Sequence, residues 1–193
     1  MATIIASSKG EKTRSDIVEC ARQLFYAHGY DGTSFSDIVE ASGLVRGNIY
    51  HYFKSKDDIL KAVIEQHLAD YRVLLAQWEK ESADPRVRLV SFVAMITGRK
   101  AELVKFGCPI GTLNTELAKD RRDLQQAARA LFDLFRDWLS ARFRELGKDA
   151  EADALALHLL GRAQGIAVIS HVYRDTKLLQ QETGQLCDWI RQL

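Results

Sequence analysis

Residues 46–56 read RGNIYHYFKSK. Several side chains in this short run suit a nucleic acid. The Arg46 guanidinium can grip guanine through two hydrogen bonds, and the Asn48 carboxamide can grip adenine in the same way. Tyr50, His51, Lys54 and Lys56 can hold phosphates. Lys9, Lys12 and Arg14 add cations upstream. A second chemistry is carried by Cys108. It stands directly before Pro109, a residue that favours the first position of a helix, and a helix N-terminus favours a thiolate. That placement suits a thiol that reacts with electrophiles or oxidants. A small packed cysteine at a turn is the plainer alternative. Cys20 and Cys187 fall on helices and read as inert.

Reading a groove needs a rigid frame. Ser34-Phe-Ser-Asp37 has the outline of a capping box opening a short helix that runs to Ala41. Ala41-Ser-Gly-Leu44 forms a turn in which Gly43 can take the left-handed conformation. A second short helix spans about 45–51. Ile38, Val39, Leu44, Ile49 and Phe53 can lock the pair at a fixed angle, leaving the polar residues outward. This is the outline of a helix-turn-helix, although a purely structural helical corner has the same pattern. Residues 1–60 hold seven Lys/Arg against eight Asp/Glu, so electrostatic attraction must come from the few cations bracketing the second helix.

Helical periodicity continues through the chain. Ile17, Val18, Ala21, Leu24, Phe25 and His28 share one face, and Gly29 follows as a stop. A long helix begins at Ser55. Asp84-Pro85 opens another that runs to Gly107, and a short one starts near Pro109. Further helices run from Leu124 to Leu146, from Ala150 to about Tyr173 and from Thr176 to the end. The spacing predicts an all-α chain of about nine helices with no strand pattern. The shift from short to long helices predicts a head over residues 1–54 and a larger domain over 55–193.

The chain has 193 residues, 47% hydrophobic and 27% charged, with a net charge of +1. These values exclude whole-chain disorder and a global field. Three widely spaced cysteines form no disulfide framework or zinc motif. His67, His158 and His171 lack metal-ligand spacing, so no metal and no cofactor is expected. The opening MATIIASSKG has no basic segment followed by a long apolar one, and the apolar runs fall short of a bilayer. The expectation is a cytoplasmic protein without membrane attachment. No nucleotide-binding or triad pattern argues for an enzyme.

The stretch GYDGTSFSDIVEASGLVRGNIYHYFKSKDDIL, residues 29–60, resembles the DNA-binding domain of TetR/AcrR-family transcriptional regulators. RGNIYHYFKSKDDIL is its most specific part. The similarity is close over about residues 12–62 and beyond that extends to length and helical layout. It implies an all-α homodimer, with three helices for double-stranded DNA and six for a small-molecule effector. Carried over by position, Thr33 and Ser34 would touch phosphates, and Arg46 and Asn48 would face base edges. Gly47 would permit close backbone approach, and Tyr50, His51, Lys54 and Lys56 would hold phosphates. Val45 departs from the serine usual at the start of the reading helix, at a cost of about 1 kcal/mol in capping.

GCPIGTLNTEL, residues 107–117, is similar to a segment in a subset of that family. The family layout implies an effector cavity among the long helices. Its candidate lining is Trp78, Phe92, Phe106, Cys108, Phe132, Phe135, Trp138 and Tyr173, with Arg99 and His171 as polar contacts. Gly161 and Gly165 lie one turn apart on one face. With the stripe Leu179, Leu186, Trp189, Ile190 and Leu193 they offer a dimer surface, or simply intramolecular packing. A two-fold dimer implies a palindromic operator. The expected function is a ligand- or electrophile-responsive regulator, most simply a repressor. The alternatives are an all-α thiol enzyme using Cys108, for which no His or Asp partner is apparent, and a protein-interaction adaptor using the same corner.

Overall fold

The computed structural model describes residues 9–193. Residues 1–8, which bear on the expectation about a secretion signal and open the 1–54 head, lie outside the described residues. The described chain is helical, with no strand among the described residues. Its elements are α1 (Lys9–His28), α2 (Phe35–Ser42), α3 (Arg46–Tyr52), α4 (Lys56–Glu81), α5 (Pro85–Gly98), α6 (Lys100–Phe106), α7 (Pro109–Asp120), α8 (Arg122–Glu145), a 3-10 turn at Asp149–Glu151, α9 (Ala152–Tyr173) and α10 (Thr176–Arg191).

The helix starts follow the local chemistry. Ser34 and Asp37 form a reciprocal capping box at α2. Ser55 accepts from Asp58 N at α4, and Asp84 caps α5 ahead of Pro85. Asp175 accepts from Lys177 N and Leu178 N at α10. Val45, which has no acceptor, leaves α3 without a side-chain cap. Gly43 closes α2 in the left-handed conformation. The one difference in layout is a break at Arg99 (φ −116°, ψ 25°), which divides the predicted Pro85–Gly107 helix into α5 and α6. Gly98 just before it weakens the helix there.

One continuous apolar core joins head and body. Ile17, Ala21, Ile38 and Ile49 are fully buried where α1, α2 and α3 meet, and Ile59 and Leu60 at the start of α4 continue that core. In the body, α8 packs on α4, α7 and α9, while α10 packs on α5 and α9. Leu131, Leu139, Phe143, Leu159 and Leu186 are essentially inaccessible. The segment Asp149–Tyr173 is long and apolar enough by composition to cross a membrane, a length the apolar runs in sequence did not suggest. Its inner face (Ala156, Leu159, Ala163, Ile166, Ala167) is buried in the bundle. Its outer face carries exposed Leu157, Val168, Ile169 and Val172.

Candidate nucleic-acid interface and effector cavity

The face of α3 is polar and open. Arg46, Gly47, Asn48 and His51 are exposed, while Ile49 points inward and is fully buried. Arg46 Nη2 donates to Ser36 Oγ on α2, and its guanidinium lies 5.7 Å from the Phe35 ring. Tyr50 stacks on Phe35 at 4.7 Å. These contacts tie the two short helices together and orient Arg46 before any DNA arrives. A Cβ at Gly47 would meet nothing within 4 Å, so the fold itself has no need of a glycine there. Lys54 Nζ donates to the Tyr50 carbonyl at 2.6 Å from an exposed position.

Two expected phosphate contacts are placed differently. Thr33 is buried, and its hydroxyl donates to the Gly29 carbonyl at 2.7 Å. The turn between α1 and α2 consumes that side chain. Lys56 is half-buried and donates to the carbonyls of Tyr30 (2.7 Å) and Thr33 (2.9 Å), with its Nζ 3.9 Å from the Tyr30 ring centroid. It pins the same turn. Ser34 stays exposed, with its oxygen accepting from Asp37 N at 3.1 Å.

A cavity of about 170 Å³ lies in the body. Of the predicted lining, Phe92, Arg99, Cys108, Phe132 and Phe135 border it, joined by Tyr26, Tyr71 and Gln164, which the sequence pattern did not single out. The other candidates stand elsewhere. Trp78 packs on Trp138, whose Nε1 donates to Glu79 while the buried Arg142 guanidinium stacks on its ring. Phe106 pairs with Tyr26 at 5.3 Å and does not border the cavity itself. His171 Nδ1 lies 3.0 Å from the Val104 carbonyl, and Tyr173 is exposed. Cys108 is the N-cap of α7, its Sγ accepting from Gly111 N at 3.5 Å. Burial pushes the Cys20 and Cys187 thiols upward. No cluster of metal ligands occurs among the described residues.

Helix α7 touches both regions. Its first turn (Pro109, Ile110) borders the cavity. Farther along, the Glu116 carboxylate accepts from Tyr30 N (3.0 Å) and Asp31 N (2.8 Å) in the head. Gly29 turns there with φ +79°, which calls for glycine, and a Cβ on it would also come within 2.9 Å of Glu116 Oε1 and push that carboxylate from its seat. Arg121, just beyond α7, pairs with Asp57 and donates to Tyr30 Oη at 3.1 Å, while Tyr30 Oη donates to Asp57. Arg121 holds the Asp57 carboxyl below its ordinary range, and burial pushes the Tyr30 phenol up to about 12. Glu116 lies inside the segment singled out at 107–117, but nothing local identifies a partner 86 residues away.

Residues 17–63 match the family described as "Bacterial regulatory proteins, tetR family". Residues 87–185, half of the chain, match "Transcriptional regulator LmrA/YxaF-like, C-terminal domain". The chain belongs to the TetR family. It is therefore a DNA-binding transcriptional regulator, and relatives support both halves. An HTH-type transcriptional regulator in the lacX 3′ region of Lactococcus lactis subsp. lactis is 27% identical over 172 residues, covering 87% of this chain and 88% of the relative. YxaF of Bacillus subtilis (strain 168) is 25% identical over 173 residues, covering 88% and 90%. The crystal structure of a TetR regulator from Chloroflexus aurantiacus superposes with a TM-score of 0.83 at 25% identity, covering 96% and 98%. In this TetR-family chain an N-terminal helix-turn-helix domain is thus followed by the family's helical C-terminal domain.

Proposed function

We propose that this chain is a cytoplasmic, homodimeric repressor that binds a palindromic operator and releases it when a small molecule or an electrophile engages the cavity beside Cys108. The observation carrying this reading is α7. One helix borders the cavity at Cys108–Ile110 and holds the head through Glu116. Anything that shifts the first turn of α7 changes the strain on the α1–α2 turn, and with it the position of α3. Such an effector acts only by preferring the released state.

The head is residues 1–54, and residues 55–193 form the effector and dimer domain. Arg46 and Asn48 read base edges, Gly47 allows close approach, and Ser34, Tyr50, His51 and Lys54 contact phosphates. The dimer forms along the outer face of α9. Gly161 and Gly165 leave open space there, flanked by exposed Leu157, Ile169 and Val172. Leu186 and Ile190 are spent inside the chain, at 1% and 0% exposure, where α10 packs on α5 and α9. Trp189 packs against His158 and Phe143. No observation favours the thiol enzyme: among the described residues Cys108 Sγ has Gly111 N as its hydrogen-bond partner, with no histidine or carboxylate.

The test is fluorescence polarisation with DNA from upstream of the chain's own gene and a scrambled duplex, with and without a thiol-reactive quinone. Specific binding that the quinone abolishes, and that Cys108→Ser preserves, establishes the electrophile branch. Specific binding indifferent to the quinone leaves the non-covalent branch. No binding at low salt refutes the operator reading.

A further inference from the structure

The cavity contains polar groups that the fold itself does not use. Tyr71 and Gln164 both border it, and neither makes a hydrogen bond among the described residues. Gln164 has a prepared seat, since a Cβ on Gly111 would fall 2.4 Å from its Oε1. Burial pushes the Tyr71 phenol up to about 12, so it remains an O–H donor at neutral pH. Arg99 commits Nε and Nη2 to Glu102 at 2.9 and 2.8 Å, so its charge is already paired with a carboxylate. Tyr26 donates its hydroxyl proton to the Gly107 carbonyl. The cavity therefore offers unpaired donors and no uncompensated charge.

The walls and the size narrow the ligand further. Phe135 meets Tyr71 in a T-shaped contact at 4.9 Å and lies 5.5 Å from Phe92. The volume, about 170 Å³, is close to the roughly 150 Å³ of an engineered apolar cavity that takes up benzene.

We propose that this cavity binds an uncharged single-ring aromatic compound bearing a carbonyl oxygen, the ring against Phe92 and Phe135 and the oxygen accepting from Tyr71 and Gln164. The inference rests on the effector reading above and specifies its ligand. A carboxylate would be desolvated without a free cation to meet it. A hydrocarbon would leave the Tyr71 hydroxyl and the Gln164 carboxamide unpaired once water is expelled.

The experiment is calorimetric titration of the full chain, without DNA, using acetophenone, ethylbenzene and benzoate. Acetophenone is expected to bind at least tenfold more tightly than either of the others. Tyr71→Phe and Gln164→Leu should each weaken acetophenone about tenfold, the effect of losing one buried hydrogen bond. Neither should weaken ethylbenzene, which distinguishes lost recognition from lost folding. Benzoate or ethylbenzene binding as tightly as acetophenone, or acetophenone failing to bind the folded chain, overturns the ligand class. Operator affinity is measured separately. Acetophenone binding with operator affinity unchanged upholds the ligand class and removes the effector role. Operator release by a quinone with no acetophenone binding does the reverse.

Discussion

Replacing Glu116 with alanine removes the acceptor for two backbone N–H groups of the head, at Tyr30 (3.0 Å) and Asp31 (2.8 Å). A hydrogen bond to a charged group contributes roughly 1.5–3 kcal/mol when buried. Here the Asp31 bond is exposed and the Tyr30 bond half-buried, so water replaces much of the loss. Together they are worth about 2 kcal/mol. For a chain of this length that corresponds to a fall in Tm of about 4–8 °C. Glu116→Gln keeps one acceptor oxygen and should lose about half as much. The local consequence is sharper than the global one. Amide hydrogen exchange at Tyr30 and Asp31 should speed up in the alanine variant by more than the global destabilisation accounts for, while Ile38 and Ile49 in the head core follow the global change alone. Urea unfolding and exchange mass spectrometry read both quantities. A variant with unchanged stability and unchanged exchange at residues 29–33 would refute the clamp, and with it the route from α7 to the head.

Asn48→Ala should weaken the cognate operator by about 1–3 kcal/mol and relax preference at one base pair, whereas Lys54→Ala should weaken all duplexes alike and lower the salt slope by about one, as polarisation titrations at several salt concentrations would reveal. Ile169→Glu places a charge on the outer face of α9 beside Gly165; the chain should run as a monomer by size-exclusion with light scattering while keeping its helical circular dichroism, and a persistent dimer would move the interface elsewhere. Burial, with Arg22 nearby, pushes the His67 imidazole down to about 4, against an ordinary value of 6.5. Its folded form is neutral, so the stability it contributes is complete above pH 6.5 and is lost as pH falls toward 4, amounting to about 2 kcal/mol at pH 5. Urea midpoints between pH 7 and 5 should show this decline, and His67→Asn should flatten it.

The elements and their ends are written in short stretches of chain. Ser34 with Asp37, Ser55 with Asp58, Asp84 with Pro85, and Cys108 with Pro109 are signals confined to one turn, and each opens a helix where its spacing predicts. The exposed polar face of α3 over a buried Ile49 was legible for the same reason, because a helix fixes what lies three and four residues apart. Periodicity also foretold that Leu186 and Ile190 would be covered. Their covering, however, comes from within the same chain, where α10 packs on α5 and α9, since an apolar stripe specifies that a face is buried and not against what.

The tertiary structure alone decided the partners. Thr33 and Lys56 belong to a turn that faces inward, although their types suit phosphate. Trp78 and Trp138 found each other and Glu79 in place of the cavity. Tyr26, Tyr71 and Gln164, from three helices, converge on the cavity, and Glu116 and Arg121 reach the head across 85–91 residues of chain. Capping and periodicity are properties of a few neighbouring residues. Cavity lining and clamping depend on how whole helices pack, and that is set by the shape of the complete core.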